Sequence, residues 1–173
     1  MGSTDSGEAL VVIDVQDGFI SDYTKRALPR VYELLEDERF GLVIATRFYN
    51  PEGSPFRKYM RWDKLAGTPD TVLDPVVAAK ADIILDKPTY GAGEAIARAL
   101  DDYGIRKATL VGIDTDVCVL QNAAYLFDHD YEVTVDTGAC ATNGGPEAER
   151  AAIRLLGRTI GRDYVLGYGG TSP

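Results

Sequence analysis

The chain has little of what several kinds of active site need. One histidine, His129, in 173 residues nearly excludes a histidine-rich metal centre, and any cysteine–histidine dyad not built on that residue. Two cysteines are too few for a disulfide framework. Basic residues are outnumbered: 18 Lys and Arg against 27 Asp and Glu leave a net charge of -9, which repels nucleic-acid backbones and anionic membranes. No apolar run approaches the roughly 18 residues of a membrane span. Residues 1–8 are small and polar, with neither the basic nor the apolar region of a secretion signal. The expectation is a reduced, cytoplasmic setting, with no nucleic-acid or membrane partner.

What is present describes one soluble domain over residues 1–173, with polar tails at 1–7 and 168–173. At 45% hydrophobic and 26% charged, the chain can bury a substantial core without staples. Short apolar runs rich in β-branched residues read as buried strands at 9–13, 42–45, 83–85 and 108–111, with weaker ones at 131–135 and 164–166. Helical periodicity fills the gaps. Pro29 places one helix start at Leu28, Gly104 ends a second helix that begins at Glu94, and Pro146 opens a third. Strands alternating with helices predict a three-layer α/β/α domain with a doubly wound, mainly parallel six-stranded sheet and right-handed crossovers. Residues 47–74 have no clear period, but their aromatic and basic content marks an ordered lid rather than a linker.

The chain is organised around Val111-Gly112-Ile113-Asp114-Thr115-Asp116-Val117-Cys118-Val119. An apolar run leads in, and Val117, Leu120, Ala124 and Phe127 leave at the spacing of one helical face. Thr115 and Asp116 are both good N-caps, which starts a helix there and puts Cys118 in its first turn. Unpartnered N–H groups and the helix dipole favour an anion at that place, so a thiolate is expected to form readily. Cys118 is therefore a candidate nucleophile. Asp14 and Lys87 each close another buried strand. In a doubly wound sheet these carboxyl ends share one edge, and a crevice there can gather residues far apart in sequence. A carboxylate with its pKa raised by burial can take the thiol proton, and an ammonium can stabilise both carboxylate and thiolate.

In these motifs the chain resembles the isochorismatase-like cysteine hydrolases, which include nicotinamidases and N-carbamoylsarcosine amidohydrolases. The resemblance runs from Val11-Val12-Ile13-Asp14-Val15-Gln16-Asp17, through Asp86-Lys87-Pro88-Thr89-Tyr90, to Gly112-Ile113-Asp114-Thr115-Asp116-Val117-Cys118-Val119, nearly the whole chain. It implies Asp14 as general base, Lys87 as charge partner, and Cys118 as a nucleophile forming a covalent acyl or thioimidate-type intermediate. It also implies a non-proline cis peptide at Ile113-Asp114, with the Asp114 and Cys118 amides aimed at a shared oxyanion. Nicotinamidases carry an Asp-x-His element after the second strand that binds a metal. Here that place reads Thr46-Arg47-Phe48-Tyr49-Asn50-Pro51, so no metal and no other cofactor is expected, and nicotinamide becomes a poor candidate substrate. Arg47 offers a guanidinium to a substrate carboxylate or carbonyl instead. Phe19 and Tyr90, flanking the motifs, are expected to line the pocket.

The expected activity is metal-free hydrolysis of a C–N bond, amide or carbamoyl, in a small polar molecule, by a chain that the resemblance makes a homodimer or larger homo-oligomer. Two rivals use the same scaffold: a binding protein without turnover, and a redox sensor in which Cys118 is oxidised. Plainer roles suffice elsewhere. Cys140 reads as a small packed hydrophobe, and His129 as a solvated residue at a helix end. Gly91-Ala92-Gly93 lacks the third glycine of a dinucleotide fingerprint.

Overall fold

The computed structural model describes residues 7–167; the expected polar tails, Gly7 apart, lie outside the described residues. In chain order the elements are β1 (Glu8–Ile13), α1 (Leu28–Leu35), β2 (Phe40–Phe48), α2 (Pro55–Tyr59), α3 (Pro75–Lys80) and β3 (Ile83–Lys87). Then come α4 (Gly93–Asp102), β4 (Lys107–Ile113), α5 (Leu120–Asp128), β5 (Glu132–Ala141), α6 (Gly145–Thr159) and β6 (Val165–Leu166). The six strands form one sheet in the order β3-β2-β1-β4-β5-β6, and every pairing is parallel. Helices cover both sides, α1 and α3 packing together on one and α4, α5 and α6 on the other. No described helix is long and apolar enough to cross a membrane.

The topology dictates where a site can form. From β1 the chain crosses outward to β2 and β3, then returns to pair β4 on the other flank of β1. The carboxyl ends of β1 and β4 therefore flank the point where strand order reverses, and a crevice opens there because the helices diverge to opposite faces. β1 and β4 approach closely at this place. Gly112 has φ +125°, and a Cβ on it would fall 2.1 Å from the Ile13 carbonyl oxygen, so only glycine fits.

Four local expectations need correction. β3 is an edge strand rather than one buried on both faces, so Ile84 and Asp86 face solvent while Leu85 and Lys87 turn inward. The strand expected at 131–135 runs on to Ala141: the Asp136 carboxylate accepts from the Gly138 N–H at 3.0 Å, closing a bulge between the pairs Leu110–Val135 and Gly112–Cys140. On α5 the buried face is Asn122, Ala123 and Leu126, continuing Cys118 and Val119, and Phe127 points outward. The two faces have the same spacing; a buried asparagine hid the true one. Finally, α3 was not anticipated. Asp74 caps it by accepting from Val76 and Val77 amides at 2.9 and 3.2 Å, ahead of Pro75 at the first position.

The 47–74 segment is ordered by two buried amides. Gln16 bonds Phe48 both ways, donating to its carbonyl at 2.9 Å and accepting from its N–H at 2.7 Å, and also reaches the Thr71 carbonyl. The Asn50 side chain donates to the carbonyls of Trp62 and Lys64 at 2.9 and 3.0 Å. These bonds replace a strand ladder. They let Phe48, Phe56 and Leu65 form a second small core separate from that of the sheet.

Candidate active site

Asp14 is the first residue after β1, in left-handed backbone at φ 49°, a region that Asp tolerates better than most residues. Its carboxylate is fully buried and held on both sides. Thr46 Oγ1, from β2, donates to Oδ1 at 2.7 Å, and Lys87 Nζ lies 2.6 Å from Oδ2. The pleat explains the selection. Thr46 and Lys87 share one face of the sheet, while the register pair Arg47 and Asp86 takes the other. Lys87 Nζ also donates to the carbonyls of Thr89 and Tyr90, both at 2.8 Å, so all three ammonium protons have partners.

Cys118 occupies a π-wound turn, Thr115–Val119, between β4 and α5. Its Sγ lies 3.9 Å from Lys87 Nζ, with the Asp14 carboxylate among the charges that act on it. Asn122 fixes the turn, donating to the Cys118 carbonyl at 2.8 Å and accepting from the Ala92 N–H at 2.7 Å. The cap is Asp114, with no side-chain capping bond, not Thr115 or Asp116. The peptide Ile113-Asp114 is cis.

The electrostatics reverse one expectation. A helix start was expected to make the thiolate easy to form, but burial, followed by the Asp14 carboxylate, pushes the Cys118 thiol well above its ordinary value against the opposing pull of Lys87. Desolvation also raises Asp14 above the usual carboxylate range, although Lys87 and Thr46 hold it down. The resting arrangement is thus an Asp14–Lys87 ion pair beside a neutral thiol.

A cavity of about 370 Å³ opens onto the sulfur. Phe19, Phe48, Phe56, Trp62 and Tyr90 wall it, and Lys64, Asp114 and Asn143 are its polar groups besides Cys118. Their ring centroids are 4.9 to 6.3 Å apart in tilted, edge-on and stacked pairs. Phe19 and Tyr90 therefore stand where substrate contact was expected. Arg47 does not: it points away from the cavity and forms a two-pronged pair with Asp86 at 2.6 and 3.0 Å. One residue of strand parity separates Arg47 from Thr46 and Phe48, and the irregular look of this stretch concealed that β2 continues through it. Sequence reasoning also missed Thr46, Asn122 and Asn143. Thr46 and Asn122 are buried polar residues in otherwise apolar stretches, and that is the signal that could have marked them; Asn143, exposed in the turn after β5, carries none. That reasoning used only the Asp114 amide, whereas the Asp114 carboxyl faces the cavity as well.

The model of the isochorismatase domain matches residues 8–161. The chain belongs to the isochorismatase family. Among curated proteins none matches it significantly, but solved structures resemble this family member over most of their length. A pyrazinamidase/nicotinamidase from Streptococcus mutans superposes with a TM-score of 0.79 at 19% identity, covering 92% of this chain and 100% of the other. PnC1 from L. infantum, in complex with nicotinate, gives 0.80 at 16% identity, with 96% and 94% covered. N-carbamoylsarcosine amidase from Thermoplasma acidophilum gives 0.74 at 23% identity, with 87% and 93% covered. At such identities the likeness establishes the shared fold.

The residues here do not fit the metal that the nicotinamidase resemblance brings to mind. At the end of β2 the chain offers Arg47 and Phe48, followed by Tyr49, where ligands would stand. His129 is on the far end of α5, stacked on Tyr125 at 4.0 Å. Among the described residues no three of His, Cys, Asp or Glu come together as a ligand set.

Proposed function

We propose that this isochorismatase-family chain hydrolyses a C–N bond of a small amide or carbamoyl compound, with Cys118 as nucleophile, Asp14 as base and acid, and Lys87 as their charge partner. The observation that carries the proposal is the gathering of a thiol, a carboxylate and an ammonium in the interior, with the thiol lining an aromatic cavity. The carboxylate–ammonium distance is 2.6 Å and the ammonium–sulfur distance 3.9 Å.

The geometry supports the following sequence. Substrate places its carbonyl carbon against Sγ. As the S–C bond forms, the thiol proton passes to Asp14, and the carbonyl oxygen takes the negative charge against the backbone amides of Asp114 and Cys118. Lys87 keeps a positive charge beside two groups that exchange one proton, so the transfer never leaves a bare anion pair in the buried site. Asp14 returns the proton to the departing nitrogen, the C–N bond breaks, and an amine or ammonia leaves a thioester on Cys118. Water then attacks the thioester carbon, losing its proton to Asp14. Collapse breaks the S–C bond, and the proton on Asp14 goes back to sulfur.

Two features argue against oxidation of Cys118 as the purpose of the site. A buried neutral thiol reacts slowly with oxidants. The other cysteine, Cys140, is itself buried on β5. The test is ammonia release from a panel of small amides and carbamoyl compounds, with an acyl adduct on Cys118 sought by mass spectrometry. Both must vanish in Cys118→Ala. Release that persists in this variant overturns the proposal.

A further inference from the structure

The Asp114 carboxyl has no part in the proposed exchange, yet it faces the cavity beside the sulfur. Its Oδ1 accepts from both the N–H and the side-chain amide of Asn143, at 2.7 and 3.1 Å. The same amide donates to the Phe19 carbonyl at 3.0 Å, which fixes the pair. Oδ2 has no protein partner among the described residues and is not among the sealed, unpartnered atoms of the interior. One oxygen is thus clamped and the other is unpartnered, on a residue that lines the cavity.

We propose that Asp114 is a specificity residue that selects substrates bearing a positive charge, seated between its free oxygen and the aromatic wall. The inference rests on the cavity being the substrate site. Three considerations carry it. Asp14 and Lys87 cancel each other at 2.6 Å, which leaves Asp114 as the uncompensated charge nearest the sulfur. The cavity's cation, Lys64, is exposed and screened by solvent. The rings of Phe19, Phe48, Phe56, Trp62 and Tyr90 present faces and edges to the same space, and aromatic faces attract cations. Last, an unpaired carboxylate beside Cys118 opposes the negative charge that develops on the attacked carbonyl oxygen. A cation on the substrate removes that opposition at the moment it binds, so binding and reactivity favour the same ligand.

Three benzamides of one shape test this: 4-(aminomethyl)benzamide, benzamide and 4-carbamoylbenzoate, carrying positive, no and negative charge. Trp62 is the chain's one tryptophan and lines the cavity, so its fluorescence reports occupancy without turnover. In Cys118→Ala the aminomethyl compound should bind about tenfold tighter than benzamide, and the carboxylate weakest. Adding Asp114→Asn, which preserves shape, should bring all three within about threefold of one another. Should that variant fold poorly, the protein with Asp114 intact supplies the second measurement. Desolvation lifts Asp114 to about 6, so the cation preference should fade as pH is lowered through that value. Of the titratable groups that face it, Asp14 and Asp116 add to the rise, while Cys118 and Tyr90, both raised, stay neutral there.

Equal binding of the three probes, tightest binding of the carboxylate, a preference that survives Asp114→Asn, or no response to any probe overturns the inference. A clear cation preference without ammonia release upholds it and sinks the hydrolase reading. Ammonia release without charge preference does the reverse.

Discussion

Replacing Lys87 by methionine should expose how the buried ion pair is balanced. Asp14 is fully buried and Lys87 nearly so, and the 2.6 Å contact is the main force opposing the carboxylate's desolvation. Removing one partner of such a pair leaves a buried charge uncompensated and costs about 3–5 kcal/mol. A domain of this size loses roughly 2–4 °C per kcal/mol, so the melting temperature should fall by about 6–20 °C at pH 8. The cost depends on pH, with a sign that follows from linkage. Without Lys87 the folded pKa of Asp14 rises further above its unfolded value, so the folded state holds the extra proton and stability falls as pH rises through that window. The penalty is complete above the folded pKa and disappears below the unfolded one, near about 4. Asp14→Asn combined with Lys87→Met removes the stranded charge and should be more stable than Lys87→Met alone at pH 8. What loss remains belongs to the Thr89 and Tyr90 carbonyls, which lose their donor. Urea unfolding of the wild type, both single variants and the double, at pH 5 and pH 8, measures all of this. A penalty below about 1 kcal/mol, or a double variant that costs the sum of the singles, refutes the reasoning.

The remaining predictions concern single positions. Alkylation of Cys118 by iodoacetamide should show no inflection near the free-cysteine value of about 8.5, because burial and Asp14 hold the thiol neutral; an inflection at or below that pH contradicts the electrostatics described. Arg47→Ala breaks an exposed pair on the face away from the cavity, so unfolding should cost no more than about 1 kcal/mol and kcat/KM should be unchanged; a large rise in KM would return Arg47 to the substrate. Gly112→Ala forces a Cβ into the Ile13 backbone at positive φ and should cost roughly 3 kcal/mol or more, read as a lowered urea midpoint or loss of soluble protein.

How much was legible before any coordinates depends on which physical signal each part leaves. The sheet was legible because strands buried on both faces must be continuous apolar runs: Ala9 to Ile13 and Ala108 to Val111 cannot hide. The meeting of the trio was legible because Asp14 and Lys87 end buried strands and Cys118 opens the turn after another, and parallel topology delivers all strand ends of that kind to one rim. What the chain by itself determined, then, was the alternation of strands and helices, a doubly wound and mainly parallel sheet, and the meeting of those three side chains at one rim.

Tertiary structure alone decided the rest. Whether Arg47 or its neighbours face the cavity is a question of strand parity, which turns on where β2 ends, and no local propensity marks that end. The fixing of residues 47–74 depends on Gln16 and Asn50 bonding backbone more than ten residues away, and a lone amide in a sequence gives no hint of its partner. The ionisation of Cys118 was misjudged because a helix start is a local feature whereas desolvation is a property of everything packed around it; burial won. Asp114 showed the same limit. Its place four residues before Cys118 can be read in one dimension, but the orientation of its carboxyl is set by Asn143, which arrives from the far end of β5.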